Sequence, residues 1–274
     1  MPELPEVEVI VQQLKANPFI LKHRISNITI LRPKQWLINS SSEVINVLKN
    51  QYITDIWRRA KYIIFEFCNT YRMVVHLRMT GKFISSASSP KIDAYTRDVF
   101  YFNNGASLQY HDVRGLGRLF HLKPGDVFSA FEKLGVEPLS SDFTVTYLEQ
   151  SLAGCKLQIK DYLMNQGKIA GIGNIYASEI LFRSKIHPGR STQSMNKREV
   201  KKLYQMVRQV LQISIEHMGT TVSDYRTAYN LEGNFQNLLQ VYGKATQPCP
   251  RCGMPIRKII QKQRSTFFCE NCQQ

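Results

Sequence analysis

No apolar run in the sequence approaches the roughly 20 residues a membrane-spanning helix needs, which argues against an α-helical membrane protein. Internal repeats and low-complexity tracts are also missing, so solenoid architectures and long disordered segments are excluded. Acidic residues are scarce: 21 Asp and Glu stand against 36 Lys and Arg, a formal net charge of +15. Yet Glu3, Glu6 and Glu8 crowd into the first few positions. A secretory leader begins with positive charge, so this start argues against one. A cytoplasmic, nucleoid-associated protein is expected. Cysteine is sparse over most of the chain. Cys68 and Cys155 stand alone in apolar stretches and read as buried thiols, which leaves no disulfide framework there.

What is present fits a globular chain of more than one domain. The 274 residues suit two domains, and 43% hydrophobic with 11% aromatic content fills real cores. The basic excess points to a polyanionic partner, most often nucleic acid. The remaining four cysteines read Cys249-Pro-Arg-Cys252 and Cys269-Glu-Asn-Cys272, with sixteen residues between the pairs. Paired CxxC knuckles at that separation fit tetrahedral thiolate coordination of one structural Zn²⁺. Four thiolates leave no open position for a catalytic water, and nothing suggests a redox cofactor.

Along the chain, Val7, Ile10, Val11 and Leu14 recur at helical spacing until Asn17-Pro18 stops the run. From about 25 to 121 the texture is strand-like: ISNITIL, YITDIW, YIIFEF and RMVVHLRM are rich in β-branched and aromatic residues. RDVFYFNNGASLQY reads as a hairpin turning at Asn104-Gly105. A helix followed by short antiparallel strands predicts a sandwich or barrel-like first domain. Beyond Lys123-Pro-Gly-Asp the period becomes helical, with helices expected near 127–134, 144–152, 156–166, 174–184 and 196–217. Residues 219–240 lack periodicity and read as a loop.

Pro2 is the residue with the sharpest chemical implication. Removal of Met1 would free a secondary amine, which attacks an electrophilic carbon to give an iminium, an electron sink that is cationic without protonation. A helix starting near Pro5 favours the neutral amine, while Glu3 and Glu6 favour the ammonium. A neighbouring glutamate is suited to passing protons as a sugar ring opens. Three other stretches stand out: Lys61 behind Arg58 and Arg59, two glycines running into Asn174 at a helix start, and Arg264 between the cysteine knuckles. Each also has a plain reading, as a surface cation, an N-cap and a solvated hairpin tip.

Together these stretches resemble formamidopyrimidine-DNA glycosylases, from PELPEVE through HLRMTGK, GIGNIYASEILF and LQVYGK to FFCENCQQ. The resemblance implies an α+β multidomain fold. It comprises an N-terminal β-sandwich with an N-terminal helix (1–122), a helix-two-turn-helix domain (123–240) and a C-terminal zinc-finger β-hairpin (241–274). It implies Pro2 as nucleophile, Glu3 as proton donor, Lys61 in β-elimination, and Arg264 in δ-elimination and phosphate contact. His76, Asn174 and Tyr242 fall where the family grips phosphates, Met79 where it fills the gap left by a flipped nucleotide, and Arg114 where it meets the orphaned base. Lys156 and Lys160 match basic helix positions approximately. Two positions depart: Leu116 stands where the family has an aromatic wedge, and Tyr95 where it has a histidine. The run before Arg264 also lacks the family's glycine. The implied partner is damaged double-stranded DNA, bound by a monomer. Two alternatives are an endonuclease VIII-like enzyme for oxidised pyrimidines and a zinc-ribbon nucleic-acid-binding protein without catalysis. The second would not account for Pro2, Glu3, Lys61 and Arg264 together.

Overall fold

The first helix, α1 (Leu4–Ala16), starts as its residues dictate. Pro5 presets a helical φ, and Glu3 and Glu6 form a reciprocal capping box, in which Glu3 N–H donates to Glu6 Oε2 at 2.8 Å. The computed structural model describes residues 1–37, 40–222 and 225–274. The apolar face of α1 (Val7, Ile10, Val11 and Leu14) enters the core of two four-stranded antiparallel sheets.

One sheet has the order β1-β6-β7-β5, built from Ile25–Ile30, Thr96–Phe102, Ser107–Asp112 and Gly81–Ser86. The other has the order β2-β3-β4-β8, built from Ile53–Arg59, Tyr62–Phe67, Arg72–His76 and Arg118–Leu122. The β6–β7 hairpin turns at Asn104-Gly105, where Gly105 takes φ 83°. Alternation sends Ile56, Ile63, Phe65, Met73, Val75, Phe83 and Tyr110 inward. Phe128 and Phe131 cover Ile64 and Val74 on the outer face of the second sheet.

One helix inside this region escaped the strand-like reading: α2 (Ser41–Leu48). The Ser40 hydroxyl accepts from Glu43 N at 3.3 Å. The serine–glutamate spacing that marks a helix start was present in the sequence.

The remaining helices are α3 (Ser129–Glu132), α4 (Val145–Ala153), α5 (Ile159–Met164), α6 (Asn174–Ser184) and α7 (Lys197–Glu216). Two are shorter than their periodicity predicts. α3 is one turn, because Phe128 and Phe131 are drawn into the aromatic cluster on the sheet. α5 begins after Gln158, which is extended and bridges to Ser191. A final hairpin, β9 (Arg257–Gln261) with β10 (Arg264–Phe268), carries the cysteine-rich end.

The chain forms two compact units, Met1–Phe131 with His217–Asn234, and Glu132–Glu216 with Phe235–Gln274. Residues 217–234, read from sequence as part of the helical domain, pack within the first unit because Tyr225 and Ala228 join the sandwich core. Ser223 and Asp224, in the same loop, lie outside the described residues. Among the described residues no helix is long and apolar enough to cross a membrane.

Candidate functional site

In the first unit Pro2 is buried at the head of α1, with Glu3 3% and Glu6 2% exposed. The Glu6 carboxylate is shared between two segments. Its Oε2 takes the Glu3 N–H, and its Oε1 takes the Thr220 N–H at 2.7 Å. Gly219 has φ 76°, and a Cβ there would meet Glu6 Cγ and Oε1 at 3.0 Å, so the close approach requires glycine. The Arg58 guanidinium bonds Glu8 Oε2 at 2.7 Å and the Ala60 carbonyl at 3.1 Å. It thereby ties α1 to the β2–β3 turn that presents Lys61, itself 7% exposed.

His76 is the cross-strand partner of Tyr62, whose ring meets it edge-on at 4.8 Å. Burial, with the Arg78 and Lys61 cations beside it, pushes the imidazole down to about 3. His76 is therefore neutral at physiological pH. Its Nδ1 accepts from Arg78 N at 3.1 Å, which leaves Nε2 as the N–H donor suited to a phosphate oxygen. Met79 follows on an exposed turn and is itself 37% exposed. Arg114 and Leu116 lie on the β7–β8 loop, both exposed. Tyr95, 47% exposed, accepts from Asp112 N through its carbonyl at 3.0 Å. The structure thus brings Lys61 beside His76, and Tyr95, Met79 and Arg114 around Asp112.

In the second unit Asn174 is not the N-cap. Gly173 occupies that position in extended conformation, and Asn174 is the first helical residue. Its Nδ2 is then free of a capping role and donates to the Ser265 carbonyl at 2.9 Å, next to Arg264. Lys160, 1% exposed, also donates to that carbonyl, at 3.2 Å, and to Thr266 Oγ1 at 2.6 Å. Arg264 is exposed at the start of β10, after a two-residue turn in which Lys262 and Gln263 take φ 41° and 62°. Lys156 is exposed in the loop before α5 and joins neither group.

Three positioning groups were not picked out in the sequence. The Gln166 amide bonds Gly171 N at 2.9 Å and Ile172 O at 2.8 Å, bracing the glycine-rich entry to α6. Glu179, fully buried, accepts from Gln240, Val241 and Tyr242 N–H groups at 2.9–3.0 Å. Asp112 is the third. An acid in a helix or strand carries no sequence signal of which backbone it will serve.

The sulfurs of Cys249, Cys252, Cys269 and Cys272 all lie within 4.8 Å of one another, with Cys252–Cys269 at 3.5 Å and Cys249–Cys272 at 3.9 Å. Tetrahedral zinc with Zn–S near 2.3 Å spaces its sulfurs roughly 3.8 Å apart, so this donor set fits one structural Zn²⁺. The site packs with Ile256 and Phe267 against Phe182 of α6.

Comparison with known proteins agrees over the whole chain. Residues 1–119 match the formamidopyrimidine-DNA glycosylase N-terminal domain, residues 134–226 the formamidopyrimidine-DNA glycosylase H2TH domain, and residues 247–274 the zinc finger found in FPG and IleRS. The formamidopyrimidine-DNA glycosylase of Herpetosiphon aurantiacus is 39% identical, with both chains fully covered. That of Ligilactobacillus salivarius is 40% identical over 100% of this chain and 99% of its own. Among solved structures, a mutant Lactococcus lactis FPG in complex with DNA containing Fapy-dG superposes with a TM-score of 0.92 at 34% identity, with both chains fully covered. The MutM (FPG) protein from Thermus thermophilus gives 0.87 at 34% identity over 99% of this chain and 98% of that one. From its amino-terminal helix to its zinc finger, the chain belongs to the formamidopyrimidine-DNA glycosylase family.

Proposed function

We propose that the protein is a bifunctional DNA glycosylase and abasic-site lyase of base excision repair. It acts as a cytoplasmic monomer and removes oxidised purines, 8-oxoguanine and formamidopyrimidines, from duplex DNA. The observation that carries this reading is the buried Pro2–Glu3 pair at the head of α1, with the Glu3 backbone fixed by Glu6. Once Met1 is gone, burial at this position and the α1 dipole would favour the neutral nucleophile, against the pull of the Glu3 and Glu6 carboxylates. Glu3 follows Pro2 directly in the chain, and the capping box fixes its backbone at the head of α1.

Once Met1 is removed, the Pro2 nitrogen attacks C1′ of the damaged nucleotide. The glycosidic bond breaks, and the base leaves with its electron pair and takes up a proton that balances the one lost from the Pro2 nitrogen. Glu3 protonates O4′ as the nitrogen lone pair expels it from C1′ and opens the ring. The resulting C1′ iminium acidifies C2′. Loss of that proton expels the 3′ phosphate (β-elimination), a step in which Lys61 takes part. Loss of the C4′ proton then expels the 5′ phosphate (δ-elimination), with Arg264 against the leaving phosphate. Water hydrolyses the iminium and frees Pro2. His76, Asn174 and Tyr242 hold backbone phosphates, while Met79, Arg114 and Tyr95 serve the stack and opposite strand, with Lys156 an outlying cation. Structural zinc folds the finger that carries Arg264.

Borohydride should trap a covalent enzyme–DNA complex on an 8-oxoguanine duplex, with the crosslink mapping to Pro2. Mapping to Lys61 in the unmodified protein would overturn the assignment. A Lactococcus lactis FPG has been crystallised with DNA containing an oxidised pyrimidine, so an oxidised-pyrimidine duplex belongs in the same assay. Faster excision there would favour the pyrimidine reading.

A further inference from the structure

Asp112, the last residue of β7, is fully buried beneath two exposed loops. Both of its carboxylate oxygens are used. Oδ2 accepts from Gly117 N at 2.7 Å and from Gln35 Nε2 at 2.8 Å. Oδ1 accepts from the Thr80 hydroxyl at 2.5 Å, and that same hydroxyl accepts from Arg114 N at 3.0 Å. One carboxylate and one hydroxyl therefore connect the residue after Met79, the backbone of Arg114 and the residue after Leu116. The surroundings brace the arrangement. Arg97, 6% exposed, donates to the carbonyls of Asp112 at 2.7 Å and Val113 at 3.3 Å. A Cβ on Gly117 would fall 1.7 Å from the Tyr110 hydroxyl and 3.1 Å from Asp112 Oδ2, so only glycine brings that N–H to the carboxylate.

We infer that the Asp112–Thr80 pair is a positioning device that locks the Met79 turn and the Arg114–Leu116 loop into one rigid wedge for the base stack. The inference rests on the glycosylase reading, which puts Met79, Arg114 and Leu116 in the gap left by an extruded nucleotide. Filling that gap requires the side chains to arrive together, because unstacking must be met before any insertion recovers its cost. Two independently moving loops would each lose conformational entropy on insertion. Loops already joined through a buried carboxylate have lost it on folding. Neither Asp112 nor Thr80 reaches the DNA: the carboxylate is fully buried and Thr80 is 6% exposed, while Met79 and Leu116 are 37% and 40% exposed. They act through those neighbours.

The test uses Thr80→Val, which keeps the side-chain shape but removes the hydroxyl, and Thr80→Ser, which restores it. Nucleotide extrusion is followed by stopped-flow fluorescence of 2-aminopurine beside the lesion in duplex DNA. Borohydride trapping on a single-stranded abasic oligonucleotide, which has no stack to fill, is measured in parallel. Losing one buried hydrogen bond and orphaning its partners should slow duplex extrusion by roughly tenfold in Thr80→Val. Thr80→Ser should return it to within about twofold of wild type, and single-strand trapping should fall less than about threefold in either. In a Met79→Ala, Arg114→Ala background the valine should add little further, as expected for residues acting as one unit. Extrusion by Thr80→Val at the wild-type rate would overturn the inference, and so would an equal loss on single-stranded and duplex substrates. Failure of the wild-type protein to be trapped on the abasic strand would instead overturn the glycosylase reading itself.

Discussion

The Glu179 carboxylate, buried in the middle of α6, accepts the Tyr242 N–H at 3.0 Å. It also holds the two preceding N–H groups, of Gln240 and Val241. The helix that begins with Asn174 therefore fixes the backbone of the strap carrying Tyr242, while Asn174 itself bonds the Ser265 carbonyl beside Arg264. Three residues proposed to meet phosphates are positioned by one helix. Such contacts set register as well as affinity, so their mutual spacing matters more than their charge.

Glu179→Gln should loosen this strap. A glutamine has one acceptor oxygen in place of two, and its amide would face N–H donors. Leaving one buried donor without a partner costs about 1–3 kcal/mol. Affinity for an abasic-analogue duplex should fall about tenfold at a fixed salt concentration. The salt slope should stay unchanged, because no cation has been removed. A lower slope would mean that Glu179 acts on phosphate charge and not on backbone position.

Removing zinc should unfold the finger and leave the sandwich intact. The core around the cysteines is small: Cys249, Cys269, Ile256 and Phe267 against Phe182 and Val241. A module of that size depends on the ion for much of its folding free energy. Chelation, or Cys269→Ser, should weaken DNA binding and suppress δ-elimination, while the near-ultraviolet signal of Trp36 and Trp57 in the sandwich persists. Full δ-elimination after complete metal removal, checked by elemental analysis, would contradict a coupling of the finger to Arg264.

Asp98 gives the sandwich a pH dependence. Burial, opposed by a 3.1 Å hydrogen bond from Trp36 Nε1 and by the Arg97 charge, raises its carboxyl from 3.8 to about 7. The folded protein thus binds this proton more tightly than the unfolded chain. Asp98's contribution to stability is complete below about 3.8 and is lost as pH rises through about 7. Asp98→Asn should remove that slope, which amounts to at most about 1.4 kcal/mol per pH unit. Urea unfolding of both proteins from pH 5 to 8 should show wild type losing stability relative to the variant as pH rises. A constant difference would mean Asp98 is ionised throughout.

Much of this architecture was legible in the sequence. The Val7–Leu14 stripe, the Asn104-Gly105 turn and the paired cysteines are periodic or local signals, and each appears as read. In the sequence Asn174 reads as a cap, because a polar residue at a helix start usually is one. Gly173 took that place, and the asparagine amide turned to the finger. Asp112, Glu179 and Thr80 were not legible as positioning groups, because their partners lie tens of residues away. Nor did spacing show that residues 217–234 would pack along α1, where Ala228 N–H bonds Gln13 Oε1 at 2.9 Å. The turn before Arg264 shows the opposite case. The missing glycine was plain in the sequence, and its consequence is that the non-glycine residues Lys262 and Gln263 must hold the left-handed backbone that a two-residue turn demands. A 3.1 Å ion pair from Lys262 to Asp161 helps to hold that turn.

Leu116 tests how far the wedge assignment extends. By the family resemblance it occupies an aromatic wedge position, on a loop whose neighbour Gly115 has φ 64°, and it is 40% exposed. A leucine there fills volume but cannot stack on a base, and stacking is worth about 1–3 kcal/mol. Met79 and Arg114 should therefore carry more of the gap-filling in this protein. Leu116→Phe should leave the chemical step unchanged and tighten binding to an uncleavable abasic duplex by less than roughly 1.5 kcal/mol, a fraction of that stacking range. Met79→Ala should weaken binding clearly in the same titration, run at one salt concentration. The exposed position has room for the larger ring, so loss of folding is not expected from the phenylalanine. If Leu116→Phe abolishes binding, the side chain does not enter the stack, and the β7–β8 loop meets DNA through Arg114 alone.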